Sequence, residues 1–309
     1  MIKPNKLVSG ANASNSPSPA KDWMRSGRDS GTEKPTLLVI SPDKHYMKTV
    51  ANPAVSKDYV ARVVTTDGTA GDFAEKMAGL DKSHLIIAKG MLETADFLRL
   101  ILKYDNKSLI IGKDGGFLSH TAMFVKPGPL GYRGRPLILT DAAINIAPSA
   151  VQKIKMIKGT QAMFACLFGN ANPTISILTP SGKFNPAIQS SIDGQKIIDE
   201  MQWAGGLSDM NIRLDQLDTA ISAEARRVKG LPGDIADVLV VDTLDAGNAI
   251  WKMHTIRGGY IAAGFVLGAT VPIVLNSRAD SPRSKLLSIK MADKLVHCNL
   301  VAAEKSGLI

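Results

Sequence analysis

At 309 residues the chain is longer than one ordinary domain, and 45% hydrophobic with 21% charged residues is the composition of a globular protein with an ample core. The net charge of +9 suits an anionic partner or a merely basic protein; the lysines and arginines are scattered, no nucleic-acid motif occurs and only 5% of residues are aromatic. This argues against nucleic acid and for a phosphate-rich small ligand.

Residues 1–34 are rich in Ser, Asn, Pro and Gly and read as a flexible N-terminal extension that cannot bury enough to offset its ordering entropy. Apolar β-branched runs then alternate with helical patterns. Strands are expected at Thr36–Ile40, Val60–Thr65 and His84–Ala88, with a short helix over Asp72–Leu80 and another after Gly90 that carries Arg99. Thr121–Val125, Leu137–Thr140 and Thr174–Thr179 read as strands; Pro148–Phe168, Ile192–Trp203 and Leu214–Lys229 read as helices, the first stopped by Gly169. Val238–Val241 is a buried strand, followed by a loop from Asp242 to Asn248, a helix, and apolar runs at Ala262–Leu267 and Val271–Leu275. Such alternation predicts an α/β fold with largely parallel pairing.

The last strand runs into Asn276-Ser277-Arg278-Ala279-Asp280-Ser281-Pro282. Ser281 suits an N-cap and Pro282 the first helical position, so Ser277 and Arg278 stand between a strand end and a helix start. Free N–H groups, the helix dipole and a guanidinium fork favour phosphate there; the alternative is a surface arginine after a strand. Lys89-Gly90, Thr140 to Asn145 and Asp242 to Asn248 are further polar strand-end loops, where α/β sheets bind ligands.

Three ordered blocks carry a resemblance. They are Gly90–Leu102 (GMLETADFLRLIL), Leu118–Ser149 with its Leu-Ser-His and Thr-Asp-Ala-Ala-Ile-Asn-Ile runs, and the stretch from Leu244 containing LDAGNAIWK, VPIVLNSRADS and the last helix. Together they resemble the phosphate acetyl/butyryltransferase family, nearest its butyryl branch. The resemblance implies two three-layer α/β domains with a cleft between them, as in isocitrate and isopropylmalate dehydrogenases. Residues 35–114 plus 264–309 would form one domain and 115–263 the other. It implies reversible transfer of a short acyl group between CoA and inorganic phosphate, a homodimer, and no cofactor beyond CoA as substrate.

That chemistry needs phosphate charge held, an oxyanion stabilised and a thiol proton moved. By the resemblance, Arg278 holds phosphate and Ser277 donates to phosphate or carbonyl through its hydroxyl or backbone N–H. Asp280 is the nearest candidate base, with capping the last helix as its other reading. Arg99 is a second phosphate group or an exposed helix arginine. Asp141, Asn145, Gly247 and Asn248 bind substrate or order their loops, Gly247 by backbone freedom. His120 reads as a packed residue. The family's Val-Asp-Gly-Pro block and its arginines before Leu-Ser-His are absent, so a diverged acyl-CoA- or acyl-phosphate-binding relative is the alternative function.

No apolar run is of transmembrane length, the N-terminus lacks a signal-peptide core, and five scattered histidines give no metal spacing. Cys166, in the apolar run MFACLF, and Cys298 make no framework; a reducing, cytoplasmic setting away from membranes is expected.

Overall fold

The inner parallel strands of the sheet are apolar runs closed by polar turns, while the strands at its two edges, RVVTT and IRLD, are mixed. The computed structural model describes residues 33–298 apart from 53–56, 105–107, 112–115, 129–130, 170–171 and 204–210. The expected extension falls almost wholly on residues 1–32, outside the described residues.

The strands are β1 (Thr36–Ile40), β2 (Arg62–Thr66), β3 (Leu85–Lys89), β4 (Ser119–Gly128), β5 (Gly131–Thr140), β6 (Ile175–Leu178), β7 (Ile212–Asp215), β8 (Val238–Val240), β9 (Ile261–Leu267) and β10 (Ile273–Val274). They form one ten-stranded sheet in the order β2-β1-β3-β10-β9-β4-β5-β8-β6-β7. The helices are α1 (Lys44–Thr49), α2 (Ala70–Ala78), α3 (Thr94–Lys103), α4 (Ala150–Phe168), α5 (Gln189–Trp203), α6 (Leu217–Ile221), α7 (Ala223–Val228), α8 (Leu244–Lys252) and α9 (Pro282–Val296).

Local chemistry explains the helix ends. Ser149 and Gln152 form a reciprocal capping box at α4, and Gly169 closes that helix in the left-handed region. Ser281 caps α9 with Pro282 in its first turn, as the sequence predicts.

One face of the sheet carries a continuous core. Leu37, Ile86 and Val274 at one end and Met123, Ile138 and Val240 at the other are covered by α4 and α9. The opposite face is split. Leu38, Ile40, Ile87 and Ile273 pack under α2 and α3, while Ala122, Phe124, Leu139 and Ala262 pack under α6 and α8. His120 and Gly264 lie between these two clusters. A Cβ at Gly264 would stand 2.1 Å from the Leu275 carbonyl oxygen and 2.8 Å from Trp251, so only glycine admits this approach.

Four expectations change. The two edges of the sheet are parallel, but β10-β9, β9-β4 and β4-β5 are antiparallel, because β4–β5 is a hairpin and β9 returns beside β4. Leu214–Lys229 is not one helix: Leu214 lies in β7, and Ser222 caps a second short helix after α6. Asp245, Gly247 and Asn248 are helical, since Thr243 caps α8 directly after β8. Cys166 and Cys298 do pair, as a disulfide with Cα atoms 5.9 Å apart across 132 residues of sequence. The packing of α4 against α9 brings them together, and no sequence spacing announces it.

Candidate active site

The carboxyl ends of β1, β3 and β10 converge on one edge, because β1-β3-β10 is a parallel run in which each strand stops at the same level. The turns leaving them carry Asp43, Lys89-Gly90 and Asn276 to Ser281.

The third turn is built from inside by Asp280, whose side chain is buried. One carboxylate oxygen accepts from the Ser277 backbone N–H at 2.9 Å and the Asn276 amide at 3.2 Å; the other accepts from the Trp251 indole at 3.3 Å. Three donors on one carboxylate fix the turn and consume its acceptor capacity. Ser281, not Asp280, caps α9. Because the Ser277 N–H is committed to Asp280, the hydroxyl is the group that Ser277 presents. That hydroxyl oxygen accepts from the Lys252 ammonium at 2.8 Å.

Cations surround the turn. Arg278 is half exposed and pairs with Glu93, the N-cap residue of α3, at 2.6 Å. Lys285, buried in the first turn of α9, donates to the Arg278 carbonyl at 3.0 Å and lies over the Tyr46 ring. Its pKa is lowered by burial, against the pull of Asp280 and Asp43. Lys89, buried at the end of β3, donates to the Leu92 carbonyl at 2.9 Å. Burial first, then the positive field of Arg278, brings its pKa down to about 8, against Glu93 and Asp280. With Lys252, four cations gather at this turn; Glu93, Asp280 and Asp43 offset them in part, and of these Glu93 sits on an exposed surface from which an anion could displace it.

A second turn, after β5, has a similar anchor and a different surface. The buried Asp141 carboxylate accepts from the backbone N–H groups of His120, Ala143 and Ile144 at 2.8–2.9 Å and from the Asn145 amide at 2.7 Å. Asn145 also donates to the Leu118 carbonyl. Gly247 packs against this turn: a Cβ there would stand 2.1 Å from the Asp141 carbonyl oxygen, so its role is space rather than backbone freedom. Asn248 donates to the Ala142 carbonyl at 3.3 Å. Asp141, Asn145, Gly247 and Asn248 therefore form one packed assembly with their polar groups turned on each other.

His120 is buried, its ring 4.8 Å from that of Trp251. Its Nε2 faces the Leu275 carbonyl at 3.3 Å, so Nε2 carries the proton and buried Nδ1 is left without a partner. Burial lowers its pKa, which keeps the ring neutral. Arg99 is exposed on α3, paired with Asp96, and lines a groove of about 710 Å³ between α2 and α3. Among the described residues it is Glu93 of that helix, not Arg99, that reaches Arg278. Leu92 lines the same groove and holds Lys89 through its carbonyl, so groove and cation cluster adjoin.

Sequence reasoning brings Ser277, Arg278 and Asp280 together correctly as one turn. It misses Lys252, Lys285, Glu93 and Trp251, and treats Lys89 only as a turn residue. The one available signal was position: Lys89 ends a predicted strand, where α/β sites are built.

A cation-rich strand-end turn in an α/β fold is the class of site this geometry defines. A family model described as phosphate acetyl/butaryl transferase matches residues 43–292, and the chain belongs to that family, a family of acyltransferases. It is 34% identical over 214 residues to the phosphate butyryltransferase of Clostridium beijerinckii, covering 67% of each chain. It is 35% identical over 181 residues to the phosphate acetyltransferase of Rhizobium meliloti, covering 57% of this chain and 55% of that one. Among solved structures, a branched-chain phosphotransacylase from Enterococcus faecalis aligns with a TM-score of 0.67 and 26% identity, covering 85% of this chain and 99% of that one. A β-decarboxylating dehydrogenase from Thermococcus kodakarensis aligns at 0.51 with 13% identity over 84% of this chain and 83% of that one, a likeness of fold alone.

Proposed function

We propose that this chain transfers a short acyl group reversibly between CoA and inorganic phosphate, with the turn Ser277–Asp280 at the reacting centre. The observation that carries the reading is the cluster of Lys89 at the end of β3, Arg278 in the turn after β10 and Lys285 in the first turns of α9, beside the Ser277 hydroxyl that Lys252 holds. Phosphate attacking a thioester carbonyl brings two charges into one place, the dianion and the developing oxyanion. Fixed cations and a hydroxyl donor are what such a step needs. Arg278 supplies a fork for two phosphate oxygens, which requires Glu93 to yield it. The thiolate of CoA leaves and takes up the proton that the attacking hydrogen phosphate gives up; Asp280 is a poor carrier for that proton, since both of its oxygens already accept from donors of the turn.

Acyl-CoA and phosphate are the substrates in this reading, and a homodimer and the division at residues 114/115 and 263/264 belong to it. The split core on one sheet face supports two halves, although Gly264 itself lies inside β9. The Cys166–Cys298 disulfide weighs against a reducing compartment. The intact Ser277-Arg278 pair weighs against a binding-only relative.

The test is arsenolysis. With arsenate in place of phosphate, butyryl-CoA or acetyl-CoA should release free thiol continuously, read with a chromogenic disulfide. No release from any acyl-CoA between two and eight carbons would sink the reading.

A further inference from the structure

Both of the last residues of α8 reach the turn that holds Ser277. Trp251 does so from beneath, through its indole and Asp280. Lys252 does so from the rim, with its ammonium 2.8 Å from Ser277 Oγ. α8 then passes into a π-helical turn at Met253–Arg257. The wider turn falls directly after the two residues that grip the site.

An ammonium has three donors and no acceptor. The Ser277 oxygen must therefore accept from Lys252, and the serine's own proton must point elsewhere. The backbone does not compete for the arrangement, because the Ser277 N–H is fixed on Asp280. A serine without such a partner turns freely about its C–O bond and spends much of its time with the proton on a nearby acceptor. Here the contact removes one of those orientations, the one toward Lys252, and leaves the O–H free for an acceptor on the other side.

We infer that Lys252 is a positioning residue which, by donating to Ser277 Oγ, holds the serine hydroxyl as a ready hydrogen-bond donor toward the acyl substrate. Lys252 acts through Ser277 and forms no bond with the reacting atoms. This rests on the acyl-transfer reading for the identity of the substrate, but the contact between the two side chains does not. The charge of Lys252 also makes the Ser277 oxygen electron-poor, so the O–H is a stronger donor than that of an isolated serine. Both effects are present before substrate arrives, which is the condition under which a donor helps the transition state more than the ground state.

The kinetic test compares Lys252→Met, Lys252→Arg, Ser277→Ala and the double variant Lys252→Met/Ser277→Ala. Lys252→Met should lose roughly tenfold to hundredfold in kcat, with KM for acyl-CoA and phosphate changed far less. Lys252→Arg, which also only donates, should recover part of the loss. The double variant should be no slower than Ser277→Ala alone, because Lys252 has nothing to position once the hydroxyl is gone. Losses that multiply in the double variant, or a loss confined to KM, would overturn the inference.

A second measurement stands apart from activity. Ser277→Cys places a thiol where the hydroxyl was, and its alkylation rate against pH, mapped to position 277 by mass spectrometry, reports how far its pKa is lowered. The charged groups around it are Lys252 from α8, Arg278 and Asp280 from its own turn, Lys89 at the end of β3, Glu93 before α3 and Lys285 on α9, so the informative quantity is the difference made by Lys252. Adding Lys252→Met should move the alkylation midpoint upward by about one pH unit. If the wild type proves inert in arsenolysis while this shift appears, the acyl-transfer reading falls and the Lys252–Ser277 coupling stands. If the midpoint stays where it was, the coupling is absent whatever the enzyme's activity.

Discussion

The turns after β5 and β10 are two versions of one device. Each hangs from a buried aspartate that collects at least three donors, Asp141 in one and Asp280 in the other. Each is braced by the same helix: the first turns of α8 pack Gly247 and Asn248 on the Asp141 turn, and its last residues bring Trp251 and Lys252 to the Asp280 turn. They differ in what is left over. The Asp141 turn uses its polar groups on itself. The Asp280 turn leaves a hydroxyl, a guanidinium and neighbouring ammonium groups pointing away from the anchor. An aspartate at a strand end thus marks a well-made turn, and the cations beside it decide whether that turn is a site.

The comparison breaks if Arg278 is dispensable. Arg278→Ala should cost about a hundredfold or more in kcat/KM for phosphate, as loss of a charge-stabilising group does. Thermal stability should hardly change, because its pairing with Glu93 is exposed. Arsenolysis rates and a melting curve on the same preparation check both halves. Asp141→Ala should do the reverse. It strands three backbone N–H groups and an amide in a buried place, at a cost of about 3–5 kcal/mol in stability. Fully folded protein at low temperature should retain substantial turnover. An Asp141→Ala variant that melts normally but is dead would make the second turn a working part of the site.

Asp280→Asn separates the two roles of the other anchor. The amide offers one acceptor oxygen where the carboxylate offered two, and sets an NH2 group against at least one donor, the Trp251 indole in the milder of its two orientations. About 2–4 kcal/mol of stability should go with it, and activity with the geometry of Ser277. If Asp280 were instead the proton carrier, the variant would be well folded and its pH profile would lose the acidic limb.

The Asp280 turn was half legible in the amino-acid order. Ser281-Pro282 after an apolar run states a strand-to-helix junction, and Ser277-Arg278 can be placed on it without coordinates. Lys252 and Trp251 precede that turn by more than twenty residues, on a helix that the sequence reads as beginning later than it does. Nothing local to them says that they reach across. Lys89 illustrates the same limit: its burial is a property of the β1-β3-β10 edge, which exists only once three separate segments pair. The disulfide is legible to neither composition nor spacing, because it depends on α4 and α9 sharing one face of the sheet. What periodicity conveys well is which segments are elements; which element ends meet is decided by long-range pairing.

Lys89 sharpens the comparison through pH. With its pKa near 8, it is charged below that value and neutral above it. The positive field at the Asp280 turn should therefore weaken as pH rises through 8, and KM for phosphate should climb several-fold between pH 7 and 9. Lys89→Met should carry the high KM at both ends of that range and flatten the curve. Bound phosphate would pull the lysine's pKa upward, so the midpoint should move to higher pH as phosphate concentration increases.

Glu93 is expected to give the smallest effect and the finest discrimination. Its carboxylate occupies the Arg278 fork at 2.6 Å on an exposed surface, a contact worth at most about 1 kcal/mol. A phosphate entering the site must displace it, so Glu93→Gln should lower KM for phosphate by about two- to fivefold, the ratio that such a free energy allows. The same substitution removes a charge that holds the Lys89 pKa up, so the pH midpoint should fall slightly while affinity at pH 7 improves. No corresponding change can be made at the Asp141 turn, where the carboxylate faces only donors of its own structure. An unchanged KM in Glu93→Gln, with Arg278→Ala still severely impaired, would mean that Arg278 meets phosphate without leaving Glu93, as a bridge between the two rather than as a released fork.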